Sequence, residues 1–140
     1  DAEAVLEIGE MTSAEVFADT DAIVQVLSNL IENGIKYGQG RNGGACRVIV
    51  SAREVAEPVA AVEFRVRDFG QGIASEHLGR IFERFYRVDK ARSRESGGTG
   101  LGLAIAQRIV QIHGGTIRAE SMLNHGSTFL FTLPRQPVRS

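Results

Sequence analysis

Residues 60–68 alternate without a break, with Val62, Phe64 and Val66 on one side of an extended chain and Glu63, Arg65 and Arg67 on the other. A strand with one apolar and one charged face belongs to a sheet that is covered on one side and wet on the other. The run 46–53 also alternates and is joined to it across Glu57-Pro58, so the pair reads as an antiparallel hairpin. Its apolar face needs amphipathic partners, and the chain supplies two.

The first is a helix running to about Tyr37, with Asp19, Thr20 and Asp21 available as N-cap side chains. Ile23, Val26, Leu27, Leu30, Ile31 and Gly34 recur at steps of three and one, which makes a single buried stripe. The second helix spans 101–113, is expected to bury Leu101, Ile105, Ile109 and Ile112, and stops at Gly114-Gly115. Short strands are expected at 4–8 and 15–18, a short helix around 75–82, and closing strands at 116–121 and 127–133. Residues 38–44, rich in glycine, read as a loop. These pieces make an α+β domain, a two-layer sandwich with helices packed on one face of a mixed, mostly antiparallel sheet.

A chain of 140 residues, 43% of them hydrophobic, suits one domain with a real core, here 1–140. No apolar run approaches the roughly 18 to 20 residues that span a bilayer, and no signal peptide is visible. Cys46 is the only cysteine, which excludes an intrachain disulfide, weighs against a cysteine zinc site and suits a reducing compartment, most simply a cytoplasm. The chain starts at Asp1, without Met and inside acidic sequence, so a piece of a longer protein is expected, monomeric by itself. Net charge is −1, which argues against nucleic acid as the main partner. The charge is segregated, however. Residues 1–35 carry eight acids and no Lys or Arg, while 80–95 carry six bases against three acids. The basic stretch is either a solvated loop or a lure for a phosphate-bearing small ligand.

It leads into Gly97-Gly98-Thr99-Gly100-Leu101-Gly102-Leu103, a glycine cluster opening a helix. Such a cluster lets backbone amides approach an anion, although it also serves as an ordinary flexible connection. There is no Gly-Lys-Ser/Thr ending for a P-loop and no preceding strand for a dinucleotide turn. On the first helix Asn29, Asn33 and Lys36 stand at i, i+4 and i+7 and line one strip beside the apolar face. An amide oxygen there suits Mg²⁺ and a lysine one turn along suits a phosphate; a polar strip facing water is the alternative. Tyr37 is either core or a flat wall for a planar ligand. Asp68 ends a strand before Phe69-Gly70-Gln71-Gly72-Ile73, where a carboxylate can accept a bond from an exocyclic amine or simply stabilise a turn.

In order and spacing these pieces resemble the ATP-binding catalytic domain of bacterial sensor histidine kinases, within the superfamily of gyrase, Hsp90 and MutL ATPases. The asparagine box is matched by Asn29-Leu30-Ile31-Glu32-Asn33-Gly34-Ile35-Lys36-Tyr37 and the first glycine box by Asp68-Phe69-Gly70-Gln71-Gly72-Ile73. Ile81-Phe82-Glu83-Arg84-Phe85-Tyr86-Arg87 resembles the phenylalanine box, Gly98-Thr99-Gly100-Leu101-Gly102-Leu103 the second glycine box, and Gly126-Ser127-Thr128 the last short box. Gly34 departs from the family's usual alanine and is expected to affect packing rather than chemistry. The resemblance implies the Bergerat sandwich with a mobile lid over the nucleotide at about 88–100, hinged at the glycine cluster. It implies that Asn33 ligates Mg²⁺ with Asn29 in support, that Lys36 lies near the phosphates, and that Tyr37 lies against the base. Asp68 would take the adenine amine and Arg87 would reach the γ-phosphate, with Arg84 a weaker candidate. Gly70, Gly72, Ile73, Tyr86, Gly98, Thr99, Gly100, Leu101, Gly102, Leu103 and Thr128 complete the implied ATP contacts.

Relatives that hydrolyse ATP, and the anti-sigma serine kinases, carry a glutamate where this chain has Asn29, which cannot accept a proton. Glu32, about 100° further round the helix, is no substitute. A neutral histidine acceptor already has a nucleophilic lone pair and needs less help, so the substitution fits phosphoryl transfer to histidine, with positioning and charge neutralisation as the main means, and disfavours an ATPase. None of His77, His113 and His125 lies in a sequence like the family's phosphoacceptor box. The implied partners are therefore a dimerisation and phosphoacceptor domain elsewhere in the parent protein and, through it, a response regulator. A nucleotide-binding module without catalysis, or a serine kinase of the same fold, are the rival readings.

Overall fold

A computed structural model describes residues 4–37, 46–57, 59–86 and 102–135. Five strands form one mixed sheet: β1 (Ala4–Ile8), β2 (Cys46–Val55), β3 (Ala61–Asp68), β4 (Ile117–Ser121) and β5 (Ser127–Pro134), in the spatial order β1-β2-β3-β5-β4. β1 runs parallel to β2, and the remaining pairs are antiparallel. The helices among the described residues are α1 (Thr20–Tyr37), α2 (Ser75–Leu78) and α3 (Gly102–Ile112). α1 lies over β2 and β3, α3 lies over β4 and β5, and the two helices pack against each other. The two-layer expectation holds.

The core follows the alternation. Val48, Val50, Val66, Phe129, Phe131 and Leu133 meet Val26 and Leu30 of α1 and Ala106 and Val110 of α3. Phe131 stacks on Phe64 with ring centroids 4.8 Å apart, and Phe129 receives the edge of Phe82 at 6.2 Å. Each such side chain taken out of water stabilises the fold by about 2–3 kcal/mol. The other sheet face is polar. There Glu63, only 7% exposed, accepts from Arg53 Nε at 3.0 Å and Arg65 Nε at 3.2 Å, with Arg118 at 3.7 Å. Burial works to raise the Glu63 carboxyl, but the guanidinium groups of Arg65 and Arg53 outweigh it and hold the group below the usual glutamate range.

Asp19 caps α1 as its composition suggested, with Oδ1 accepting the Asp21 N–H at 3.1 Å. Three expectations are corrected. Residues 15–18 make no strand; the Phe17 N–H reaches the Pro134 carbonyl at 3.3 Å, a single bond at the end of β5 rather than a ladder. The helix expected over 75–82 ends at Leu78, where Gly79 closes it, and the chain continues as successive turns to Tyr86. The third concerns α3, where Ile109 is half-buried against the core as expected, but the fully buried residues are Ala106 and Val110, and Ile105 and Ile112 are 38% and 67% exposed. Gln107, Arg108 and Gln111 make one polar side of the helix, and the apolar remainder is wide enough for two stripes, of which the one with the small Ala106 is buried. Leu101 and the 38–44 loop lie outside the described residues.

Candidate functional site

Asp68 is the last residue of β3 and points to the helix-covered face, where its side chain is 5% exposed. Its Oδ1 accepts the Gly70 N–H at 3.0 Å. Burial pushes the Asp68 carboxyl up from the ordinary aspartate range, while the N–H groups of Gly70 and Ser127 pull it down. A carboxylate in this position favours a donor that arrives with a ligand. α1 comes close beside it, since a methyl added at Gly34 would stand 3.7 Å from Asp68 Cβ and 3.2 Å from Val48 Cγ2. Gly34 thus does affect packing, by letting the helix lie close to the sheet next to the carboxylate.

The flank of α1 that faces α3 carries Asn29 and Asn33, both half-buried. Asn29 Nδ2 donates to the Gly102 carbonyl at 3.1 Å and so ties the middle of α1 to the first residue of α3. A side chain added at Gly102 would meet no atom of the described residues within 4 Å, so packing among them does not require the glycine; it stands at a helix start, where unpaired N–H groups favour an anion. Leu103, the next residue, packs against the core. Lys36 and Tyr37 close α1 one turn beyond Asn33, and their side chains lie outside the described residues. Arg87, Gly98, Thr99, Gly100, Leu101 and the 88–100 lid segment also lie outside them.

The loop after Asp68 is held from below by residues that sequence reasoning did not single out. Ser121 Oγ accepts the Ile73 N–H at 2.7 Å, donates to the Gly126 carbonyl at 2.9 Å, and lies 2.9 Å from Ser127 Oγ. The Asn124 N–H donates to the Gln71 carbonyl at 2.7 Å. Gly72 has φ +77°, and a Cβ there would fall 2.2 Å from the Met122 carbonyl oxygen. Its absent side chain therefore serves the fit of this loop on the β4–β5 turn. Gly70 is buried and Ile73 half-buried.

Thr128 is not with the others. The register pairs Asp68 with Ser127 and Arg67 with Thr128, which sends Thr128 to the polar face beside Arg67 and Glu120. Ser127, 6% exposed, is the residue of that box that stands next to Asp68. Tyr86 is half-buried against the core, with its hydroxyl hydrogen-bonded to His77 Nδ1. Arg84 is exposed. His113 Nδ1 donates to the Ile109 carbonyl at 2.8 Å, and Nε2 accepts the Asp19 N–H at 3.2 Å, joining the end of α3 to the start of α1. Among the described residues no three His, Cys, Asp or Glu side chains converge as a metal cluster, and no helix is long and apolar enough to cross a membrane.

The fold is that of histidine kinase catalytic domains. The solved structure of the mycobacterial sensor histidine kinase MprB matches with a TM-score of 0.77 at 26% identity, over 96% of this chain and 84% of that one. Full-length ShkA, crystallised in complex with AMPPNP, matches with a TM-score of 0.75 at 27% identity, over 99% of this chain and 27% of that one. In sequence, the sensor histidine kinase WalK of Bacillus subtilis (strain 168) is 47% identical over 116 residues, which is 83% of this chain and 18% of that protein. The chain thus spans a small part of its sequence relative. The family model for histidine kinase-, DNA gyrase B- and HSP90-like ATPases matches residues 18–137, and the chain belongs to that family.

Proposed function

We propose that the domain binds Mg-ATP and transfers the γ-phosphoryl group to a histidine on a separate dimerisation and phosphoacceptor domain, from which it passes to a response regulator. The observation that carries the reading is Asp68, a buried carboxylate with a raised pKa packed close to α1 at Gly34, the residue after Asn33. Nucleotide occupancy in the ShkA crystal and the naming of WalK as a sensor histidine kinase support it from outside the chain.

In this reading the ionised Asp68 accepts from the adenine amine, a donor that burial leaves it short of. Tyr37 lies along the base. The helix start at Gly102 faces the phosphates, and Lys36 and Arg87 neutralise charge that builds on the transferring group. Mg²⁺ would be held by the Asn33 carbonyl oxygen, a fit for an ion that keeps most of its shell as water and phosphate, and would supply charge neutralisation at the phosphates. Asn29 holds the start of α3 and takes no proton, so the attacking group must bring its own lone pair, as a neutral imidazole does.

The test mixes the chain, Mg²⁺ and γ-labelled ATP with a cognate phosphoacceptor domain. Label on that domain that is acid-labile and base-stable is expected, with none on this chain alone. Acid-stable label, or phosphate on His77, His113 or His125, would overturn the reading. Asn33→Asp should abolish labelling, and Arg87→Ala should abolish it while nucleotide still binds.

A further inference from the structure

We propose that His77 is a positioning residue for phosphoryl transfer, acting through the Tyr86 hydroxyl on the chain direction into Arg87; this deepens the proposed function and rests on it. His77 lies in the last turn of α2, and its Nδ1 is hydrogen-bonded to the Tyr86 Oη, with the rings tilted at 51° and their centroids 5.8 Å apart. The guanidinium of Arg80 stands 4.7 Å from the centroid of the same tyrosine ring. Tyr86 is thus gripped at its hydroxyl and on its ring, while its body packs against the core.

The backbone agrees. From His77 to Tyr86 the chain makes three turn bonds: Arg80 N–H to the His77 carbonyl at 2.8 Å, Glu83 N–H to Arg80 at 2.9 Å and Tyr86 N–H to Glu83 at 3.2 Å. Phe85, inside the last of them, has φ +64° and is 67% exposed. A left-handed, exposed phenylalanine gains nothing from burial, so its conformation persists because its neighbours impose it. Tyr86, anchored on the far side, is the neighbour that does so. The residue after it in sequence is Arg87, the proposed γ-phosphate ligand. A guanidinium displaced by about 1 Å can cost on the order of a hundredfold in rate while leaving ground-state binding in place.

The predicted signature is a split between rate and affinity. In transfer assays with a phosphoacceptor domain, His77→Ala and Tyr86→Phe should each slow transfer at saturating ATP by about tenfold or more, with ATP affinity held within about twofold. The double variant should be no slower than the worse single, because both remove one hydrogen bond. His77→Asn, which places an amide atom where Nδ1 stands, should recover most of the rate. Independent losses that multiply, a His77→Ala rate within about twofold of wild type, or a fall in affinity equal to the fall in rate would each overturn the proposal. A second reading of the contact needs no activity. The chain has no tryptophan and two tyrosines, so in a Tyr37→Phe background Tyr86 is the sole emitter. Its fluorescence should change on His77→Ala, and an unchanged spectrum overturns the contact itself. A wild-type chain that labels no phosphoacceptor would defeat the kinase reading and the positioning role with it, whereas an unchanged spectrum in a chain that does label would defeat this proposal alone.

Discussion

Replacing Gly126 by alanine tests how closely the two halves of the site are built together. Gly126 opens β5 with φ +81°, and an alanine Cβ would fall 2.1 Å from the Asp68 carbonyl oxygen and 2.9 Å from Phe69 Cα. An ordinary carbon–oxygen contact is about 1 Å longer, so either the end of β3 or the start of β5 must shift by that much. The left-handed conformation costs an alanine about 1 kcal/mol. The shift also pulls the Ser127 N–H from the Asp68 carboxylate and the Gly126 carbonyl from Ser121 Oγ, each net bond contributing about 1 kcal/mol. The expected loss is about 3 kcal/mol, which lowers the melting temperature by roughly 10 °C for a domain of this size. Affinity for an ATP analogue should fall about tenfold or more, since Asp68 moves with its strand. Gly79→Ala is the control: Gly79 has φ −76°, and its added methyl meets nothing within 4 Å. Thermal denaturation by circular dichroism and analogue titration read both variants. If Gly126→Ala melts within about 2 °C of Gly79→Ala and binds equally well, the close approach is not what holds the carboxylate, and the reasoning fails.

Four further outcomes follow. Because the folded Asp68 carboxyl is raised, its contribution to stability is full below the ordinary aspartate value of 3.8 and is lost as pH rises through the folded value. The melting temperature of wild type minus that of Asp68→Asn should therefore fall as pH rises from about 4 to 7, and a rising difference would contradict the assignment. Glu63 has the opposite sign: its lowered carboxyl contributes stability above the unfolded value that is lost on acidification, so Glu63→Gln should narrow its gap to wild type at low pH in the same scan. Ser121→Ala strands the part-buried Ile73 N–H and should cost about 1–3 kcal/mol by urea denaturation, with weaker nucleotide binding; a neutral variant would argue that water replaces the hydroxyl. His113→Ala removes two bonds at the junction of α1 and α3 and should cost about 1–2 kcal/mol, with faster exchange of the first amides of α1 by hydrogen–deuterium exchange.

What the sequence made legible is whatever a short period records. The alternation of β3 and the stripe of α1 placed Asp68 and Asn29 correctly, because each is written within a few neighbouring residues. Parity along β5 was also available, since Phe129 and Phe131 turn inward and Ser127 must share their side while Thr128 does not. Taken as one block, the Gly126-Ser127-Thr128 motif does not display that one-residue offset. The buried face of α3 was not available, because two apolar stripes compete on it and only the approach of α1 selects Ala106 and Val110. Nor was the Ser121 hydroxyl, whose partners Ile73 and Gly126 meet it only after the sheet has formed, or the His77–Tyr86 contact, which depends on the turns between them.

The sheet order has a consequence for how the molecule comes into being. β5, the last strand among the described residues, sits between β3 and β4 rather than at an edge. Phe129, Phe131 and Leu133 therefore arrive last and fill the middle. At roughly 5–20 residues per second of synthesis, the β2–β3 hairpin and α1 wait several seconds with their apolar faces bare. The hydrogen bond from Asn29 to Gly102 joins residues 73 positions apart, and Asp68 gains its Ser127 N–H only when β5 docks. A nascent chain cut before β5 has no sheet centre and leaves the Asp68 end of β3 without its neighbour. Folding and the completion of the surroundings of Asp68 are one event, and β5 triggers it.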